Sequence, residues 1–201
     1  LIFKNSYVKA VQLNAAASNT GVINFANGAI NFESITNSTS LELNSKIGNK
    51  FSNNLVIGYT TVRDNRDPEG DPFPRVEITD AAGSAIFFGS EPFSTANLLE
   101  QNILTVTDNF QIYSGKHTVT LGVNGELSNS KNVFFRQNFG EYRFSNITDF
   151  LDNNRPNRYR HGYSLIGGFG DDSQGAAEFD FLQLGFYVQD EVNITENLKF
   201  T

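Results

Sequence analysis

The densest run of chemically capable side chains is Arg63-Asp-Asn-Arg-Asp-Pro-Glu-Gly-Asp-Pro72. It places Asp64, Asp67, Glu69 and Asp71 within eight positions. Clustered carboxylates are what a hard cation such as calcium needs. The spacing does not follow the twelve-residue calcium loop of EF-hands, and Arg63 and Arg66 stand ready to pair with the same acids. The expectation is a solvated, salt-bridged loop, with no metal and no cofactor assigned.

A second concentration lies in Asn153-Asn-Arg-Pro-Asn-Arg-Tyr-Arg-His-Gly-Tyr163. Arg155, Arg158 and Arg160 alternate there with Tyr159, His161 and Tyr163. Arginine and tyrosine are over-represented at binding hot spots. Arg155, Arg158, Tyr159 and Arg160 are therefore the candidate ligand-binding residues, suited to an anionic or peptide-like solute. The competing expectation is a surface loop whose guanidinium groups stack on their own aromatics or meet anionic lipopolysaccharide.

Other chemistries find little support. His117 and His161 lack metal-site spacing, and the chain has no cysteine to complete a zinc site. There is no G-x-S-x-G elbow for a nucleophilic serine. The glycines of "GGFGDDSQG" (Gly167, Gly168, Gly170) precede a strand pattern, not a helix, so they make a flexible loop and not a phosphate cradle. No residue set points to an enzyme.

Composition narrows the field further. The 201 residues carry 22 acids against 15 bases, a formal charge of −7, which argues against a nucleic-acid partner. The mean hydropathy of −0.32 fits a soluble protein and fits equally a membrane barrel, half of whose strand residues face water. No apolar run reaches the length of a membrane helix. The chain holds 19 Phe and 7 Tyr but no Met. The missing initiator suggests a processed or excised piece.

The elements that must position these residues follow a period of two. In His117-Thr-Val-Thr-Leu-Gly-Val-Asn-Gly-Glu-Leu127, the apolar Val119, Leu121, Val123 and Leu127 share one face and Thr118, Thr120, Asn124 and Glu126 the other. "STSLELNSKI", "NLVIGYTTV", "ILTVTDNFQIY" and "FLQLGFYVQDE" repeat the pattern. Three strands are expected over 101–113, 116–129 and 179–192, longer than the five or six residues of ordinary strands and long enough for the 9–11 of a tilted membrane strand. Connections alternate: short at "GNKFS", long to about Ala96, short at "SGK", long over 129–177, then short again. Barrels of the outer membrane alternate short turns on one rim with long loops on the other. The expected class is all-β: antiparallel up-and-down hairpins, an incomplete segment of a large transmembrane β-barrel. Its apolar face meets lipid and its polar face a watery lumen, to which Gln183, Gln189, Thr105, Thr107, Thr118 and Thr120 contribute. The alternative is a soluble secreted β-sandwich that binds glycan or protein through long loops.

Four stretches carry a family likeness: "NNLVIGYTTVRDNRDPEGDPFPRVEI", "GSEPFSTANLLEQNILTVTDNFQIYSGKHTVTLGVNGEL", "FFRQNFGEYRFSNITDFL" and "LQLGFYVQDEVNITENLKFT". In order and spacing they resemble the barrel of TonB-dependent outer-membrane receptors, most of all the Oar-like branch of Bacteroidetes. The resemblance covers 50–201 well and 1–49 loosely. It implies a barrel of roughly 22 strands around a plug, and nutrient import driven by the TonB–ExbB–ExbD complex. The cargo stays open among peptide, glycan and chelate, with a lean toward peptide or protein. Neither plug nor TonB box is legible, and Thr201 is not a barrel's terminal aromatic. Residues 1–201 are thus expected to be an internal slice of the receptor barrel, roughly six or seven strands, in the outer membrane of a Gram-negative cell.

Overall fold

A computed structural model describes residues 1–166 and 175–201. The chain is all-β, and most of it lies in one antiparallel sheet. Six long strands carry that sheet: β1 (Ile2–Asn14), β3 (Ile30–Ile47), β4 (Phe51–Pro68), β7 (Asn97–Ser114), β8 (His117–Phe134) and β11 (Ala177–Thr195). A short β12 (Leu198–Phe200) folds back on β11. The spatial order is β1-β3-β4-β7-β8-β11-β12, and every neighbouring pair is antiparallel. Its edges, β1 and β12, do not pair with each other, so the sheet is open.

The strands exceed their expected bounds. An 18-residue strand spans about 60 Å at ~3.4 Å per residue, twice the hydrocarbon core of a bilayer. The expected short turns are present at 48–50, 115–116 and 196–197, with Gly48 and Gly115 at positive φ where the chain reverses. All three lie at one end of the sheet. The connections 15–29, 69–96 and 135–176 all leave from the other end.

Those connections are not loops, as the sequence pattern suggested. They contribute β2 (Val22–Asn24), β5 (Arg75–Thr79), β6 (Ala85–Phe88), β9 (Glu141–Phe144) and β10 (Arg158–Arg160), which join in a second sheet of order β10-β9-β5-β6-β2. This sheet is mixed: β5–β9 and β2–β6 are parallel. A five-residue helix, α1 (Ile147–Leu151), covers one face, its N-terminus capped by the Asn146 side chain accepting from Asp149 N–H at 2.8 Å. Phe150 of α1 meets Phe88 and Phe144 edge-on at 5.6 and 5.4 Å.

The core sits in this small sheet. Among the described residues the buried apolar side chains are Ala29, Val76, Ile78 and Phe144, none of them on a long strand. The large sheet has an apolar face, and among the described residues no layer packs over it.

Candidate functional site

Three surfaces are built by this arrangement. The first is the apolar face of the large sheet. Strand register turns the alternating pattern into rows. Phe3, Leu41, Ile57, Val106, Gly125 and Leu184 form one row across six strands, and Leu104, Leu127 and Leu182 lie in the next. On β7 the band runs from Leu104 to Ile112, nine residues. Toward the short turns it ends at Val119 and Asp190, beyond which His117 Nδ1 meets Asp190 Oδ2 at 2.7 Å. Toward the long connections it ends at a row of Asn37, Thr61, Asn102, Asn129 and Asp180. One row further on, Arg63 Nε pairs with Glu100 at 3.4 Å, beside Lys131 and Glu178. Leu121, Leu127, Leu184, Phe186 and Val188 of the band are exposed, Phe186 by 78%.

The second surface is the polar face. Thr105, Thr107, Thr118, Thr120, Gln183 and Gln189 all lie on it, as the alternation required. Their neighbours tie into cross-strand hydrogen bonds. Asn124 Nδ2 donates to Thr107 Oγ1 at 2.8 Å. Asn54 Nδ2 donates to Asn44 Oδ1 at 2.7 Å and to Glu42 at 3.1 Å. Tyr113 OH donates to Gln111 Oε1 at 2.8 Å and lies 3.0 Å from Ser52 Oγ. Asn44, Lys46, Ser52, Asn54, Gln111 and Tyr113 line a groove of about 580 Å³ near the short turns. A face of amides and hydroxyls at this density suits water and a polar solute.

The third surface is the charged face of the small sheet. On β5, β9 and β10 the odd-numbered Arg75, Glu77, Glu141 and Arg143 and the even-numbered Arg158 and Arg160 share one side. Val76, Ile78, Tyr142, Phe144 and Tyr159 share the other. Register sets Arg143 directly beside Arg158. Glu77 relieves that repulsion by contacting both, at 3.3 and 3.5 Å, and Glu141 holds Arg158 at 3.1 Å. Glu141 is buried, and its Oε2 and Arg158 Nε have no hydrogen-bond partner among the described residues. Arg75 packs its guanidinium 4.7 Å from the Phe87 ring, and burial pushes its pKa down against the pull of Glu91, Glu77 and Glu141.

This geometry divides the four candidate ligand residues. Arg158 is committed to Glu77 and Glu141. Tyr159 points to the opposite face, where its ring lies 4.7 Å from that of Tyr142, and burial together with this neighbour pushes its phenol up. Arg155 and Arg160 are exposed and make no ion pair among the described residues. They are the two whose charge is available to a solute.

The acidic run is not one loop. Asp64 and Asp67 belong to β4 and differ in parity, so they leave the strand on opposite faces. Arg63 pairs with Glu100 instead of the local acids, and Arg66 lies over Phe32 at 5.3 Å. Asn65 Nδ2 donates to Asp67 at 2.6 Å, and Asn31 donates to Glu69. No group of three metal-capable side chains converges among the described residues. His161 Nε2 lies 3.1 Å from the Asn138 carbonyl oxygen. Ser114 faces His117 in register, yet no serine hydroxyl hydrogen bonds to that ring among the described residues. The glycine run 167–174 lies outside the described residues.

Two features escaped the sequence reading. Asp108 sits among the apolar rows, and its parity in "ILTVTDNFQIY" already placed it there. The small sheet was signalled by alternation in "RVEIT" and "EYRF", runs too short to stand out.

Comparison with family models, with curated proteins and with solved structures gives no match. The fold and its surfaces define an all-β protein with a large antiparallel sheet, a small mixed one, an exposed apolar band and a hydrogen-bonded polar face.

Proposed function

We propose that the chain supplies part of the wall of an outer-membrane β-barrel, of the TonB-dependent receptor type, that imports a nutrient. The bare apolar band carries the reading. Nine residues per strand match the span of a bilayer, and soluble proteins rarely expose contiguous apolar surface on this scale. Short turns at one end and long connections at the other fit the two rims of such a barrel. The small sheet then stands outside the cell, and the polar face lines the lumen. Arg155 and Arg160 reach solute arriving from outside. Energy comes through the TonB–ExbB–ExbD complex acting on other parts of the receptor, and further strands close the sheet. A soluble β-sandwich would need a second sheet over the apolar face, whereas the large side chains of the band, such as Leu184, Phe186 and Val188, stay exposed.

The test is fractionation of the full-length protein. It should sediment with the outer membrane and migrate faster unheated than boiled on a denaturing gel. Deleting its gene should stop growth on one limiting nutrient (peptide, glycan or chelate), as deleting TonB does. Recovery in the soluble fraction would overturn the proposal.

A further inference from the structure

One carboxylate lies in the middle of the apolar band, away from Asp190 at its rim. On β7 the five side chains of the band are Leu104, Val106, Asp108, Phe110 and Ile112. The row of Asp108 reads Leu43, Leu55, Asp108, Val123 and Phe186. Asn53 of β4 donates Nδ2 to Asp108 Oδ1, and Ser45 of β3 stands opposite Asn53. Asn53 Oδ1 is buried and has no hydrogen-bond partner among the described residues. Beside the pair, Phe51 and Phe110 stack at 5.8 Å. The result is one polar notch with aromatic and aliphatic walls.

A carboxylate at mid-depth of a bilayer is costly unless something pairs with it. Among the described residues no cation lies nearby on that face. Arg63 and Lys131 stand in the row of Glu100, eight residues along β7, or about 27 Å away. His117 is at the other rim and is engaged by Asp190. Lipid amines sit at the interface, too far for a short aspartate to reach. The vacant position of the notch is Asp108 Oδ2, an acceptor; Asn53 Oδ1, also an acceptor, is buried out of reach. A second copy of this face would bring acceptors to acceptors. The occupant must therefore donate, and must be apolar around its donor.

We infer that the notch at Asp108 and Asn53 seats a membrane-embedded segment of a different protein, one that carries a lysine or arginine among apolar residues. The inference rests on the membrane reading of this face. The full-length protein is extracted from its own outer membrane in mild detergent and its native mass is measured. Wild type should run as a complex heavier than its own chain. Asp108→Leu should fall to the mass of the single chain while remaining in the outer membrane and heat-modifiable. Asp108→Asn, which keeps the shape and part of the hydrogen bonding, should dissociate partially and covers the case in which the leucine variant does not assemble. A membrane-inserted wild type at single-chain mass, or a complex that survives Asp108→Leu, overturns the inference alone. Recovery of wild type from the soluble fraction overturns the membrane reading as well.

Discussion

The ring of Tyr187 on β11 occupies the space above Gly122 on β8. A methyl group on Gly122 would come within 2.0 Å of it. The two residues are register partners, and the phenol reaches across β8 to donate to Asn109 on β7. Gly122 is buried by this ring although it lies on the polar face of a sheet with no core. Its backbone conformation is one any residue adopts, so the glycine is needed for the ring and not for its own φ. Gly122→Ala should displace Tyr187, break the bond to Asn109 and cost about 1–3 kcal/mol, as overpacking does. In a Tyr187→Ala background the same change should be neutral or gain roughly 0.5–1 kcal/mol, the usual advantage of alanine over glycine in a strand. The double-mutant cycle, read from urea midpoints in lipid vesicles, decides. Additive effects would show that the ring does not depend on the glycine.

The two faces of β8 make a sharper test, because adjacent residues should answer oppositely. Leu121 lies in the apolar band between Phe110 and Val188, and Thr120 lies on the polar face between Gln111 and Gln189. Leu121→Arg should cost about 2–4 kcal/mol if its face meets lipid near mid-depth. Thr120→Arg should change stability by less than about 0.5 kcal/mol. Folding yield into vesicles and urea midpoints report both. Equal tolerance at the two sites would contradict the assignment of faces.

How far the sequence spoke can be judged on particular stretches. Alternation in 117–127 placed every side chain on its observed face, because a period of two admits no other arrangement once the strand is granted. The same rule missed where the strands end. Past Leu104 on the way to the long connections, polar residues appear on the formerly apolar face, as at Asn102 and Glu100, while Ile103 and Phe181 turn to the other. A search for one greasy side reads that exchange as the end of the strand. The small sheet was hidden differently. Its parallel pairings join residues far apart in sequence, such as Arg75 with Glu141, and no local pattern encodes them. The Arg-rich run looked like a single binding patch because composition does not distinguish Arg158, tied to two carboxylates, from Arg160, two residues on.

A pH effect is expected in the turn between β5 and β6. Asp80 Oδ1 accepts from the N–H groups of Ser84 at 2.8 Å and Ala82 at 2.9 Å. The Ser84 amide is the main cause that holds its carboxyl below the ordinary 3.8. A folded value below the unfolded one means the contribution to stability is present above the unfolded value and is lost as pH falls through the folded one. Hydrogen-exchange protection of the Ala82 and Ser84 amides should hold from neutral pH down to the ordinary carboxylate value and decline only below it. Asp80→Asn should remove that decline, since its side-chain oxygen still accepts. Loss of protection well above that value in the wild type would show that Asp80 does not set the turn.

The charge ladder of the small sheet separates structure from ligand binding. Glu141 has a side chain only 7% exposed, and it is the nearer of the two carboxylates that neutralise Arg158. Removing one partner of a buried pair leaves the other uncompensated, at about 3–5 kcal/mol. Arg158→Ala leaves Glu141 buried without its ion partner and should therefore open the five-stranded sheet, seen as rapid proteolysis within β9 and β10, while the long strands keep their assembly. Glu141→Ala should do the same to a lesser degree, since the Arg158 it leaves behind is about a third exposed and keeps Glu77 at 3.5 Å. Loss of solute uptake in either variant would then report a collapsed sheet. Arg155→Ala and Arg160→Ala break no ion pair among the described residues and should leave stability within about 0.5 kcal/mol. Uptake measured in the Arg155→Ala, Arg160→Ala double variant is the clean assay of the proposed contact. A large fall with normal proteolysis assigns these two guanidinium groups to the solute. Unchanged uptake removes them from the binding surface and leaves the polar face of the large sheet to hold it.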